Sequence, residues 1–230
     1  MFDHDDVFRQ IRLGFELPPA DSLEEVSEEV FALHVTKNTS SLDRLGRLPN
    51  LRYLSAHDIR QAQFRQICSA PQITHLGANT FGIADFDALR NLVNLKGMEL
   101  TDNTKVTSLN GLEALTELQV LALVNCPINV DLGPISAAKD LRYLWLSSRY
   151  QKPMVVSSLS PLSSLTRLER LKLTNVRVED QRLTPLLKLE NLVELELPTF
   201  FPREEFVALA ESLPNAKGHW LGRIGARASL

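Results

Sequence analysis

The sequence predicts an α/β solenoid: an arc of about nine short parallel strands on a concave face, backed by 3₁₀ or short helical segments on the convex side. Leucine-class residues return at i, i+3 and i+5, as at Leu118, Leu121 and Leu123, at Leu168, Leu171 and Leu173, and at Leu192, Leu195 and Leu197. The triplets begin at Val30, Leu51, Ile73, Leu95, Leu118, Leu141, Leu168, Leu192 and, more weakly, Ala216, so successive starts lie 21, 22, 22, 23, 23, 27, 24 and 24 residues apart. The last turn is supported by an echo, since Leu48-Pro49-Asn50-Leu51 returns as Leu213-Pro214-Asn215-Ala216. A solenoid grows by stacking rather than by closing round one core. The period therefore overrides a domain count based on length, and the 230 residues read as one domain.

Several turns place a leucine at every third position ahead of the strand, as in Leu42, Leu45, Leu48, Leu51 and Leu54. Each step of three falls about 60° short of a full α-helical turn, so five such positions cannot share one helix face and a long amphipathic helix is excluded. The period-3 stretch suits 3₁₀ or extended convex structure, and the change to period 2 marks entry into a short parallel strand. Right-handed crossovers are expected between such strands. Residues 1–29 read as an N-terminal helical cap, with helices over Asp5 to Leu13 and Ser22 to Val30; Ser22 and Glu25 form a capping box for the second. Residues 30–201 carry the repeats. Residues 202–230 carry a capping helix from Pro202 to about Leu213, the weak last strand, and a polar tail that discourages edge pairing. The extra length of the 27-residue turn falls within Arg149 to Ser158, where Tyr150 to Met154 is expected to protrude as a loop.

The window Leu118, Leu121, Leu123, Cys126 and Ile128 fits the pattern L-x-x-L-x-L-x-x-N/C-x-L, and by it the chain resembles the short-repeat class of the leucine-rich repeat family, from roughly Val30 to Leu221. It departs from the family's Asn ladder. Asn38, Asn103 and Cys126 match, whereas Ile59, Phe81, Arg149, Val176 and Phe200 stand at that place in other turns, which are expected to be less regular. The resemblance implies binding of another protein by the concave sheet. It supplies no catalytic residue.

Charge and composition narrow the partner. With 25 basic and 28 acidic residues the net charge is -3, which gives no chain-wide attraction to phosphate backbones or anionic lipid, so neither nucleic acid nor membrane is expected as a partner. No apolar run approaches the roughly 18 residues of a spanning helix, and the start Met1-Phe2-Asp3-His4 lacks the basic and apolar regions of a secretory leader, so a cytoplasmic location is expected. Cys68 and Cys126 fall three repeats apart. At about 4.8 Å per strand that exceeds the span of a disulfide, and both are expected to be free, packed thiols.

In a strand, neighbours alternate faces, so burial at offsets 0, +3 and +5 leaves +2, +4 and +6 on the concave side. The middle column then reads His34, Ser55, Gly77, Glu99, Ala122, Trp145, Lys172, Glu196 and Trp220. Its flanks include Tyr53, His75, Gly97, Val120, Tyr143, Arg170 and Glu194 on one side, and His57 and Val124 on the other. Both tryptophans and two of the three tyrosines fall on this surface, where aromatic residues dominate binding hot spots. The candidate partner-binding residues are accordingly Tyr53, His57, His75, Glu99, Val120, Ala122, Val124, Tyr143, Trp145, Arg170 and Lys172. Two readings remain open for the patch of Val120, Ala122 and Val124 beside Tyr143 and Trp145: a docking site, or a local core covered by the insertion around Tyr150. Arg170 with Glu194, and Lys172 with Glu196, are expected to pair across adjacent strands.

His34, His57 and His75 share the concave side, but His57 and His75 differ by four positions along the strand, about 13 Å, whereas a zinc site needs ligand nitrogens about 2 Å from one point. No G-x-x-x-x-G-K-[ST], G-x-S-x-G or H-E-x-x-H occurs. The expectation is a non-catalytic, cofactor-free, monomeric module that binds a protein partner on its concave face. A more pointed version makes it an inhibitor, immunity-type partner or regulatory subunit of a toxin or enzyme. A small metal-dependent enzyme using the concave histidines and a self-associating scaffold are the competing classes.

Overall fold

The computed structural model describes residues 4–149 and 151–219. Ten strands follow in chain order: β1 (Ala32–Thr36), β2 (Tyr53–Arg60), β3 (His75–Gly82), β4 (Gly97–Thr101), β5 (Val120–Val124), β6 (Tyr143–Ser147), β7 (Met154–Val156), β8 (Arg170–Thr174), β9 (Val176–Val178) and β10 (Glu194–Glu196). Eight of them, β1-β2-β3-β4-β5-β6-β8-β10, make one parallel sheet, and β7 pairs with β9 in a second. The main sheet keeps one register over the repeat positions, and slips only at the end of β2 and β3, where Ile59 pairs with Thr80. Ala32, Tyr53, His75, Gly97, Val120, Tyr143, Arg170 and Glu194 stand side by side, as the repeat alignment expects. A ninth turn is marked by the bridge between Glu194 and Lys217; Trp220 and the polar tail lie outside the described residues.

Most convex segments are 3₁₀, over Leu42–Arg47, Asp87–Asn91, Leu112–Ala114, Gly133–Ala137, Ser160–Ser164 and Thr184–Leu186. In a 3₁₀ turn positions i and i+3 superimpose, which is why a leucine at every third residue can face inward. Leu42, Leu45, Leu48, Leu51 and Leu54 are all buried. Three of these segments carry a proline at their second residue, Pro134, Pro161 and Pro185, where a missing N–H is no loss in a first turn. One turn instead carries a true helix, α2 (Gln61–Ile67), with Phe64 and Ile67 turned into the core. A left-handed residue stands seven positions after the repeat start in four turns: Asp58 within β2, at the break in its pairing with β3, and Asp102, Asn125 and Asn175 just beyond β4, β5 and β8, with φ of 54°, 61°, 56° and 54°. Asp and Asn are the L residues that tolerate this conformation best.

At the ladder position, Asn103 is fully buried and bridges turns, its Nδ2 donating to the Ile83 carbonyl at 3.0 Å while its Oδ1 accepts from the Lys105 N–H at 2.9 Å. Cys126 is buried at the same place, its Sγ 3.8 Å from the Leu100 carbonyl, and Ile59 and Val176 fill it with apolar bulk. Arg149 points outward to Asp102 at 3.0 Å, and Phe200 is exposed. Both cysteines are free and buried; desolvation pushes the Cys126 thiol up to about 12 and raises that of Cys68 as well.

The two ends and the insertion modify the sequence expectations. The first N-terminal helix forms as α1 (His4–Arg12) and runs on as a 3₁₀ turn over Leu13–Glu16. Ser22 to Val30 is not helical: the chain bridges Ser22 to Ser40 and buries Leu23, so the edge of the first repeat claims the backbone that a helix would use. The C-terminal helix, α3 (Arg203–Ser212), is where it is expected, with Phe206 and Leu209 closing the core. The insertion does not protrude as a whole. Met154–Val156 forms β7 and Met154 is fully buried, because an apolar, β-branched run beside β9 gains more from pairing than from solvent. Tyr150 lies outside the described residues.

Leu121, Leu123, Leu144, Leu146, Leu171 and Leu173 are all at most 2% exposed and belong to one continuous core. Leu144→Ala is expected to destabilise the fold by about 2 to 5 kcal/mol, the cost of a leucine-sized cavity in a core that cannot collapse, measured by denaturant unfolding.

Candidate partner-binding surface

The concave columns are formed as the register requires, but half of that face is already occupied. Helix α1 lies across β2 to β5, with its amphipathic side chains Val7, Phe8 and Ile11 against the sheet and Asp5 and Arg9 in solvent. Val7, Ile11 and Val120 form a small buried cluster of their own, distinct from the main core, with Phe8 and Tyr143 packed on its edge. The Phe8 ring meets Tyr143 edge-on at 5.0 Å, and Phe15, further along, meets His34 in the same way at 5.3 Å.

The sheet is shaped to receive this helix. A side chain at Gly77 would stand 2.7 Å from the Ile11 carbonyl, and one at Gly97 would stand 2.9 Å from the Ile11 side chain. The approach is mutual at Gly14, where a Cβ would come within 2.5 Å of the Leu33 carbonyl. Ser55 donates to the Ile11 carbonyl at 3.3 Å. Glu99, 3% exposed, receives a two-pronged contact from Arg12, with Nε to Oε2 at 2.7 Å and Nη2 to Oε1 at 2.5 Å. That contact holds the guanidinium above its ordinary pKa and is the geometry in which arginine recognises a carboxylate best.

The sequence-predicted residues therefore divide. His75, Glu99, Val120 and Ala122 are buried at the side of the sheet that α1 covers, so they are not open to a partner in this state. Tyr53 is half-buried and stacks on His75 at 5.0 Å. Tyr143 is half-buried, and partial burial pushes its hydroxyl up to about 12. Its cover comes from Phe8 of α1, whereas the described part of the insertion pairs elsewhere with β9. His57 is exposed at the wall of a cleft of about 300 Å³, shared with Arg12, Phe15, Asn79, Glu99 and Thr101.

Beyond β5 the described part of α1 meets the concave face at Tyr143 and, through Asp5 at 4.0 Å, at Arg170, and the face is otherwise more open. Trp145, Arg170 and Lys172 are half-buried and Val124 is partly exposed. Lys172 Nζ lies 5.1 Å from the centre of the Trp145 ring, a cation–π contact, and reaches Glu196 at 3.0 Å. Arg170 meets Glu194 at 3.2 Å, so both expected cross-strand pairs form. The Trp145 indole Nε1 is shielded from solvent and has no hydrogen-bond partner among the described residues. No group of three or more His, Cys, Asp or Glu among the described residues is placed to hold a metal ion, and no described helix is long and apolar enough to cross a membrane. What sequence reasoning missed is the occupant. The available signal was the small residues Ser55, Gly77 and Ala122 in the middle column and Gly97 in the column beside it, together with an amphipathic N-terminal helix.

Burial, with Lys96 nearby, pushes the His75 imidazole down to about 4, Asp6 acting in the opposite sense. An unfolded histidine titrates near 6.5, so as pH falls through that value the unfolded chain takes up the proton first. His75 thus costs no stability above about pH 7, and its penalty grows between about 6.5 and 4 to on the order of 3 kcal/mol. In His75→Phe, which keeps a ring against Tyr53, unfolding free energies measured from pH 7 to 4.5 should fall less steeply than in the parent.

No protein-family model and no curated protein matches the chain. Solved structures do. Internalin C2 of Listeria monocytogenes is 23% identical, with a TM-score of 0.58 over 77% of this chain and 76% of that one. Internalin F of the same bacterium is 17% identical, with a TM-score of 0.52 over 83% and 67%. The plant peptide hormone receptor RGFR1, solved in complex with RGF2, is 12% identical, with a TM-score of 0.56 over 88% of this chain but 37% of the receptor. At such identities the likeness speaks for the fold alone, and together with the in-register parallel strands and the repeating leucine triplets it identifies the chain as a leucine-rich repeat solenoid.

Proposed function

We propose that the chain is a non-catalytic module that binds a protein partner on its concave face, through the stretch around Trp145. The observation that carries this reading is the state of that side chain. A tryptophan partly exposed on the sheet, with Lys172 over its ring and Arg170 nearby, has the makeup of an aromatic interface anchor. The charge pairs Arg170 with Glu194 and Lys172 with Glu196 form a rim that would set orientation more than affinity. The likeness to a receptor solved with RGF2 supports the same class of role. A partner that is itself a toxin or enzyme, held inactive by this module, is the narrower form of the proposal.

Two measurements test it. A photo-crosslinking residue at position 145 is expected to capture a defined protein from the native source, whereas the same residue at the convex, exposed Val93 is not. With that partner in hand, Trp145→Ala should leave the melting temperature within a few degrees of the parent and weaken binding by at least about 2 kcal/mol, the threshold for a hot spot. Equal capture from both faces, or unchanged affinity in Trp145→Ala, would overturn the reading.

A further inference from the structure

We propose that α1 fills the concave face as a built-in stand-in for a partner helix, and that the partner presents an amphipathic helix with two turns of apolar side chains and an arginine that meets Glu99. The inference rests on the reading that this face binds protein, and it names the chemistry of what binds there. The solenoid core is complete without α1. Val7 and Ile11 belong to a cluster separate from the main core, formed with Val120 on the concave side of β5, as a ligand's side chains would be.

The seat is specific in shape and charge. Gly77 and Gly97 clear a channel that any β-carbon would close against Ile11. Glu99 at the channel's side is 3% exposed and is paired with Arg12. A helix without a cation at that place would leave a buried carboxylate unpaired, a strong discrimination against the wrong occupant. The helix pitch of about 5.4 Å is close to the strand spacing of about 4.8 Å, so successive turns meet successive strands. Val7 reaches Val120 on β5, and one turn later Ile11 reaches Gly97 on β4. Past Tyr143, on which Phe8 rests, the same face carries the partly exposed Trp145, which gives an incoming helix a foothold before α1 leaves.

The test uses the full chain and a fluorescently labelled peptide of residues 4–18. In the parent, the tethered helix competes at high effective concentration and the peptide is expected to bind weakly. In full-length Ile11→Asp, which disfavours docking of its own α1, the peptide is expected to bind at least 10-fold more tightly. That gain should be lost when Glu99→Gln or Gly97→Val is added, or when the peptide itself carries Arg12→Ala. Should Ile11→Asp fail to melt cooperatively, Arg12→Glu serves in its place. Peptide binding no tighter in a folded α1 variant than in the parent, or binding indifferent to Gly97→Val, would overturn the proposal, as would a parent protein that exchanges α1 between two copies in a stable dimer. A Trp145-dependent partner that binds the parent and the α1 variants alike would sink this inference while leaving the proposed function standing.

Discussion

Everything in this molecule depends on parallel strands stacked without slippage. A strand alternates its side chains between two faces, so a shift of one residue anywhere in the sheet would carry a leucine to the concave side and a polar residue into the core. From β1 to β10 the register holds over the first five strand positions of each repeat, slipping only past His57 where β2 pairs with β3, and each of those offsets therefore becomes a straight column across the sheet. The inward columns are the leucine core. The outward columns set Arg170 opposite Glu194 and Lys172 opposite Glu196, and they place Gly77 opposite Glu99 and Gly97 opposite His75, which makes room for a helix beside a carboxylate.

The energetic division follows the same geometry. The main core runs without a break from Leu23 to Ala216 and belongs to the repeats and the chain ends that close them. The helix across the concave face adds a second, minor cluster joined to the sheet by Ser55, by the Arg12 to Glu99 pair and by ring contacts. Repeat proteins derive stability from each turn and its neighbour. A segment laid over the finished surface stands outside that sum, and its attachment is set by the few groups it touches.

The fold was legible in the sequence because period 3 passing into period 2 is a local signal with one physical solution, and the leucines at 121, 123, 144, 146, 171 and 173 are buried as that solution demands. The histidine spacing was equally legible, with His57 opposite Asn79 and His75 opposite Tyr53. Other features were not. Ser22 and Glu25 have the residue types of a capping box, yet the chain there follows the edge of the first repeat, a nonlocal demand that no cap can announce. Met154 to Val156 finds its strand partner in Val176 to Val178, a pairing set by the following repeat rather than by its own residues. Among the described residues the concave columns fall where the repeat alignment sets them, but their exposure differs. Whether His75, Glu99, Val120 and Ala122 meet solvent depends on α1, whose pattern declares an amphipathic helix without saying which surface it covers.

A helix laid across such a sheet resembles a vernier. One scale advances by about 5.4 Å per helical turn and the other by about 4.8 Å per strand, so the two fall out of step by about 0.6 Å at each strand. After about four strands the mismatch reaches half a strand spacing, and side chains aimed at grooves would meet ridges instead. The helical part of α1 ends at Arg12, and the chain passes into a tighter 3₁₀ turn over Leu13–Glu16 as it crosses the last strands. The sheet thus carries a ruler for whatever helix rests on it: short ones seat along their whole length, and long ones must bend, change their winding or lift away.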